Sequence, residues 1–395
     1  MPGGAPSPAP TRRFALLAIG LGAFGIGTTE FAPMGLLPAI AEGVDVSIPA
    51  AGQLVTAYAV GVMISAPFMT LYLARFGQKR ALLIAMAIYI IGNLVSTVAP
   101  EYWSLMAGRL ITSLCQGAFF GFGAVAATSV VPPEKRASAL AIMFMGTSIA
   151  NIGGVPASSW MGETIGWRAA FAVTVGLGII AFTALAFALP EGEPGRRAEV
   201  RRELATLLRP QMLVTLAATV LFASGFFAVY TYIAPFLEEV AGAGPRFVTL
   251  LLVLIGVGLT LGNWLGGKLA DRSLRHGAMQ AMAALAVTSL ALPLMVGSIP
   301  GTILGTLAWS ASAFACVPAL QMRAMRAAED APSLAASMNI AAFNLGNAVG
   351  AAVGGAVIGL GFGVAAVPLA AALLALIGLG ALRMQRPVGS SVTVG

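Results

Sequence analysis

The chain has 395 residues, of which 22 are Lys or Arg, 15 Asp or Glu and one His; 9% of its side chains are charged, 58% are apolar, and mean hydropathy is +0.90. Soluble domains carry about 25% charge, so an ordinary soluble enzyme is excluded, as is a collagen-like chain, because the 48 Gly follow no triplet period. The net charge of +7 invites a nucleic-acid reading, but no basic patch is interleaved with aromatic residues, so the positive sign needs another origin.

A helix crossing a hydrocarbon core ~30 Å thick needs ~20 mostly apolar residues at ~1.5 Å each. Broken at its charge clusters and Pro/Gly turns, the sequence predicts twelve such spans. They cover residues 14–40, 49–73, 80–99, 102–131, 137–161, 167–189, 212–237, 246–270, 277–297, 300–322, 333–359 and 361–383. The expected fold class is therefore an all-α membrane protein of twelve transmembrane helices in two six-helix bundles. Residues 1–13 are too polar for a signal-peptide core and read as a tail. Residues 14–189 form the first bundle, 190–211 a polar linker, 212–384 the second bundle and 385–395 another tail. The middle of the linker suits a short amphipathic surface helix or a plain connector.

Orientation follows from the cations. Arg12 and Arg13 precede span 1; Arg75, Lys79 and Arg80 follow span 2; Lys135 and Arg136 follow span 4. Arg196, Arg197, Arg201, Arg202 and Arg209 fill the linker. Lys268, Arg272 and Arg275 follow span 8, Arg323 and Arg326 follow span 10, and Arg383 and Arg386 close the chain. Arg109 lies inside a span, and the other side holds only Arg168 and Arg246 with Glu42, Asp45, Glu101, Glu163, Glu238 and Glu239. Both termini are expected in the cytoplasm, no nucleic-acid partner is expected, and the lipid bilayer is the surrounding phase. Trp103, Trp160 and Trp167, near outer span ends, read as interfacial anchors.

Two halves of six spans invite a search for a repeat. The turn from Thr70 through Ala74, Arg75, Gly77, Lys79 and Arg80 has a counterpart at Gly267, Asp271, Arg272 and Arg275. Asn151, Gly153 and Gly154 in span 5 have theirs at Asn347 and Gly350 in span 11, at almost the same displacement. Duplication of a six-helix unit explains both.

With these turns, the 6+6 pattern resembles the major facilitator superfamily. The run Gly27-Thr-Thr-Glu30-Phe31 through Pro38, then Gly154-Val-Pro156, Gly166-Trp167-Arg168 and Asn339 through Asn347, resembles its drug- and sugar-exporting proton antiporters. The likeness is to the branch holding sugar efflux and chloramphenicol-resistance exporters, and it covers nearly the whole chain. It implies a multi-pass protein of the bacterial cytoplasmic membrane, monomeric, without cofactor, driven by the proton gradient and not an enzyme. The two bundles would then alternate access to a cavity between them. It also implies conformational-switch roles for Arg75, Gly77, Lys79 and Arg80, for Gly267, Asp271 and Arg272, for Gly146, Gly153, Gly154 and Pro156, and for Gly346, Asn347 and Gly350. One departure stands out: Thr70 and Ala74 occupy positions where the family has Gly and Asp, so the first-half latch is in doubt.

Glu30 is the only acid deep in a span, ~24 Å along the helix from Phe14. A carboxylate in hydrocarbon costs at least ~2.5–3.5 kcal/mol, so it should face a cavity or a partner, as a proton carrier must; the alternative is a hydrogen bond to a neighbouring helix with no transport role. Arg109, ~10 Å below the outer surface, is the matching cation. A Glu30–Arg109 pair, direct or through water, is expected, and the resemblance gives the fourth-span Arg a proton-transfer role. A structural ion pair or a snorkelling Arg is the alternative. Gly146 and Gly153, seven apart, should share a helix face that lets a neighbouring backbone approach.

Candidate cavity residues are the polar Gln53, Tyr58, Gln116, Asn151, Asn263, Asn339, Asn344 and Asn347 and the aromatic Phe222, Phe226, Phe227, Tyr230, Tyr232 and Trp309. Helix packing is the competing role for each aromatic, and helix bridging for each Asn. Cys115 and Cys316 read as buried small hydrophobes, and His276 stands without a metal-ligand cluster. The leading function is export of a small drug-, antibiotic- or sugar-like solute in exchange for protons. Uptake or facilitated transport of a sugar-like solute is the alternative. A membrane-embedded enzyme lacks a metal or nucleophile constellation, and a transporter-like sensor lacks residues for a signalling domain. On this topology, green fluorescent protein fused after Gly395 should fluoresce, and alkaline phosphatase fused there should be inactive; active phosphatase would reverse the orientation.

Overall fold

The computed structural model describes residues 9–46, 48–190 and 200–384. Tail residues 1–8 and 385–395, with Arg386, and linker residues 191–199, with Arg196 and Arg197, lie outside these. The described residues are helical with no strand, and twelve helical segments are long and apolar enough to cross a membrane. The helices are α1 (Ala9–Gly43), α2 (Ile48–Ala74), α3 (Gln78–Val98), α4 (Tyr102–Ser129), α5 (Arg136–Ile149), α6 (Val155–Thr164), α7 (Trp167–Ala188) and α8 (Val200–Leu207). They continue with α9 (Pro210–Thr231), α10 (Ile233–Glu239), α11 (Pro245–Arg272), α12 (Leu274–Met295), α13 (Ile299–Ala327), α14 (Pro332–Val357) and α15 (Val367–Met384). They group into two compact units, Met1–Glu199 with Ala336–Ala341, and Val200–Ala335 with Ala342–Gly395.

Prolines account for two departures from uninterrupted spans. The span expected over 212–237 ends at Thr231, and α10 starts after Tyr232, whose φ/ψ of −109°/21° is not helical. Pro235 has no N–H for the Thr231 carbonyl, and its ring crowds that oxygen, so the helix breaks there. The span expected over 137–161 is interrupted by a π-helical turn at Ala150–Gly154 just before Pro156. That wide turn shifts the glycine pattern. The paired face expected from Gly146 and Gly153 is formed instead by Gly146 and Gly154, because an i→i+5 turn absorbs one extra residue. A Cβ on Gly146 would strike the Gly20 carbonyl and, at 2.8 Å, the Phe24 nitrogen, and one on Gly154 would lie 2.6 Å from the Thr28 hydroxyl. Around Gly153 nothing lies within 4 Å.

The second unit makes the equivalent crossing with an uninterrupted four-residue step. Gly346, Gly350 and Gly354 of α14 lie against Val220–Ser224, Ser224–Ala228 and Ala228–Tyr232 of α9 and the turn after it. A further stripe, Gly258, Gly262 and Gly266 of α11, carries the backbone of α13 at Leu307, Ala311 and Ala315. Its four-residue spacing was readable in the sequence but was not among the candidates.

Five glycines among the described residues have a left-handed φ, and two of them open membrane-length helices. Gly77 has φ 78° and starts α3, and Gly166 has φ 103° and starts α7. The next residue corrects an expectation. Trp103 and Trp160 are exposed, as anchors would be, but Trp167 is only 4% exposed and packs in the first unit's core with Leu36, Ile40 and Phe171. Gly43, lacking a side chain, leaves the room its indole occupies, and Arg168 stacks on that ring at 4.1 Å while donating to the Ala99 carbonyl.

Gly146→Ala should therefore destabilise the protein by about 1–3 kcal/mol through overpacking, while Gly153→Ala should be neutral or slightly stabilising. Paired thermal melts of the two variants in detergent check this; equal effects would refute the shifted face.

Candidate functional site

Three successive polar residues of α1, Thr28, Thr29 and Glu30, sit in its otherwise apolar middle. Successive side chains of an α-helix are rotated by about 100°, so the three reach three neighbours. Thr28 faces Gly154 and donates to its own helix at the Phe24 carbonyl, 2.8 Å away. The Thr29 hydroxyl donates to the Asn93 side-chain oxygen of α3. Glu30 turns to α4, where Gln116 Nε2 donates to Glu30 Oε2 at 3.0 Å.

Seven residues before Gln116, and so on the same face of α4, lies Arg109, which is 0% exposed. Its Nη1 donates to the Thr29 carbonyl at 2.8 Å, and its guanidinium carbon stands 4.2 Å from the Tyr58 ring centroid. Arg109 and Glu30 thus share one buried neighbourhood within the first unit, but no direct ion pair joins them. Of the expected pair, direct or through water, the direct form is not made: Gln116 is on the carboxylate, and a carbonyl and an aromatic face are on the guanidinium. Side-chain length explains the exchange: Gln116 is opposite Glu30, whereas Arg109 spends its reach on the backbone one residue earlier. Arg109 Nε and Nη2, the Tyr58 hydroxyl and Gln116 Oε1 are buried without a hydrogen-bonding partner among the described residues.

A polar strut fixes this arrangement. Tyr89 donates to the Gly25 carbonyl at 2.8 Å, Asn93 Nδ2 donates to the Tyr89 carbonyl at 2.9 Å, and Asn93 receives the Thr29 hydroxyl. α3 thereby holds the stretch of α1 that carries Thr29 and Glu30. Thr29, Tyr89 and Asn93 were not among the sequence candidates, although a single amide inside the apolar run Ile90–Val98 was a readable signal.

The other candidates are distributed. Tyr58 belongs to the Arg109 neighbourhood, Gln53 is exposed on α2, and Asn151 donates to the Thr147 carbonyl in the π turn. Asn339 is buried in the short α14 stretch grouped with the first unit, where Ser337 donates to the Ala66 carbonyl at 2.9 Å. In the second unit, Phe226 is the hub of an aromatic cluster: it stacks on Tyr230 at 5.1 Å and on Trp309 at 5.3 Å, and meets Phe314 edge-on. Phe227 meets Phe226 edge-on at 5.0 Å, and Phe343 links Phe227 to Phe222. Tyr232 lies apart, with its hydroxyl on the Ala351 carbonyl and its ring on Gly354. Asn263 and Asn344 are buried and Asn347 is half-buried.

At the turn after α2, Arg75 lies on the rings of Tyr72 and Phe76 at 3.8 and 4.7 Å; Lys79 is half-buried and Arg80 exposed. At the end of α11, Gly267 is buried, Asp271 half-buried and Arg272 exposed. Cys115 and Cys316 are buried free thiols. Among the described residues no group of three or more His, Cys, Asp or Glu could hold a metal ion.

Twelve membrane-length helices, with a carboxylate and a guanidinium buried inside the first unit, fit a membrane transport protein, and the comparisons with known proteins agree. The chain belongs to the Major Facilitator Superfamily, whose model matches residues 19–351. It is 56% identical over 362 residues to the inner membrane transport protein YdhP of Escherichia coli K12, covering 92% of this chain and 93% of that one. It is 31% identical over 349 residues to the chloramphenicol resistance protein of Streptomyces lividans, covering 87% and 88%. The fold is that of the human organic anion transporter MFSD10, with a TM-score of 0.75 at 17% identity over 95% of this chain and 100% of that one.

If the Tyr58 ring, rather than its hydroxyl, supports Arg109, Tyr58→Phe should melt like the wild type. Tyr58→Leu should lose about 1–2 kcal/mol of stability. Equal loss in both would assign the support to the hydroxyl instead.

Proposed function

We propose that this chain is a secondary active exporter that exchanges external protons for a small drug-, antibiotic- or sugar-like solute, in a bacterial cytoplasmic membrane with both termini inside. The observation that carries the reading is Glu30: a carboxylate only 8% exposed in the middle of α1, held by one neutral amide and near the Arg109 charge. A buried acid without a fixed counter-ion can gain and lose a proton with less structural disturbance than one locked in an ion pair. The coupling roles are assigned accordingly, Glu30 as the group that carries the proton and Arg109 as the nearby charge that favours its release.

Export rather than uptake is supported by the likeness of the α1 run to exporters and by the relative named for chloramphenicol resistance. Orientation is supported by the cation distribution, and the membrane by the relative named an inner membrane transport protein. The switch roles of the Arg75–Arg80 and Gly267–Arg272 turns, and of Pro156 with the glycines of α5 and α14, belong to this reading. So do the cargo roles of Tyr230, Trp309 and Asn344 and of the other cavity candidates.

The test is accumulation of radiolabelled chloramphenicol and of L-arabinose by inverted membrane vesicles, with and without an imposed proton gradient. Wild-type vesicles should accumulate at least one of them when the gradient is present, and Glu30→Gln vesicles should fall to the empty-vector level. Undiminished gradient-driven accumulation by Glu30→Gln would remove Glu30 from the coupling, and efflux of preloaded solute on the same gradient would indicate uptake as the physiological direction.

A further inference from the structure

A buried carboxyl group that cycles between two protonation states presents its neighbours with two different demands. As a carboxylate it only accepts hydrogen bonds; as an acid it also has an O–H that must be given an acceptor. A guanidinium offers donors alone and can answer only the first demand. A primary amide carries both a donor and an acceptor and can answer either.

The partner of Glu30 is such an amide. Gln116 Nε2 donates to Glu30 Oε2 at 3.0 Å, and Gln116 is 3% exposed. The other end of the amide, Oε1, is buried and has no hydrogen-bonding partner among the described residues. Half a turn about the last side-chain torsion exchanges the two atoms and places Oε1 where Nε2 now stands. Arg109 does not compete for the position, because the Thr29 carbonyl and the Tyr58 ring hold it.

We propose that Gln116 is a positioning residue that serves Glu30 in both protonation states, donating through Nε2 to the carboxylate and, after turning, accepting through Oε1 from the carboxylic acid. The proton arrives on and leaves Glu30 Oε2, and neither form is left without a bonded partner. The inference rests on the reading of Glu30 as the proton-carrying group.

The charged and titratable groups around Glu30 come from several helices. Arg109 of α4 and Tyr58 of α2 face it, and Cys115 of α4 and Tyr89 of α3 lie beside those two. Among residues with described side chains, α5 and α7 carry only Arg136 and Arg168, both at helix starts, and α6 carries none. Arg168 is bonded to the Ala99 carbonyl.

The test is infrared difference spectroscopy of the full-length chain in detergent during a pH titration, following the carboxyl stretch. Glu30→Gln identifies the band that belongs to Glu30. In the wild type that band should have the lowered frequency of a hydrogen-bonded acid. In Gln116→Leu it should move to higher wavenumber, and the midpoint of its loss should move to higher pH by about one unit. That is a tenfold change, because the ionised form loses the stronger, charge-assisted bond. Gln116→Met, similar in length and without the amide, repeats the measurement if the Leu variant does not fold, and a melting profile shows which variants are native.

An unchanged band position in a folded Gln116 variant would overturn the acceptor role and with it the proposal, as would the absence of any band removed by Glu30→Gln. The spectra report on Glu30 without transport, so they separate this inference from the coupling reading. A band that responds to Gln116 in a protein whose Glu30→Gln variant still transports on the gradient would overturn the coupling role alone.

Discussion

Hydrocarbon offers no hydrogen bonds, so every polar group that this chain carries inside a span has to be answered by another part of the chain. The requirement is sharpest at the Thr28-Thr29-Glu30 run, where the helical rotation that makes α1 a span also sends three polar side chains to three directions. The first unit is assembled so that each direction meets a partner: Thr28 returns to its own backbone beside Gly154, Asn93 of α3 takes Thr29, and Gln116 of α4 takes Glu30. Helices α1, α3 and α4 are thereby held in one register by the same groups that form the candidate site. The helix packing and the candidate site use a single network here, and a change to one member is felt by the others.

The same solvent explains the glycines. Lipid tails provide no hydrophobic drive for helices to associate, so close backbone approach and dense packing must provide it. Gly146 and Gly154 let α1 pass close to α5 and the π turn, and Gly346, Gly350 and Gly354 do the same for α9 and α14. These equivalent crossings differ in one respect: the first contains a wide turn ahead of Pro156, and the second keeps its four-residue step. The two crossings thus agree in their close glycine contacts and not in their internal geometry. The polar content of the two units differs as well. The first surrounds Glu30 and Arg109 with hydroxyls and amides, whereas the second has rings stacked around Phe226.

Much of this was legible in the chain alone, for a physical reason. Span number, span limits and helical class depend on how many apolar residues follow one another, and that is a local property. The twelve spans, and Glu30 and Arg109 as the charged groups deep within them, follow from local chemistry. Resemblance to the transporter family was legible from short runs such as Gly27–Phe31 and Gly166–Phe171.

Which side chain meets which was not legible, because it depends on helix rotation and on the residues that interrupt it. One absorbed residue in a π turn moved the close contact from Gly153 to Gly154, and Gly43 admitted Trp167 to the core in place of the membrane interface. A sequence records that Glu30 and Arg109 are both in the membrane, and opposite charge makes them an obvious couple. Only the packing of α4 against α1 decided that Gln116 meets the carboxylate while Arg109 goes to the Thr29 carbonyl and the Tyr58 ring. Local composition fixed what had to be buried, and three-dimensional register decided what it is buried against.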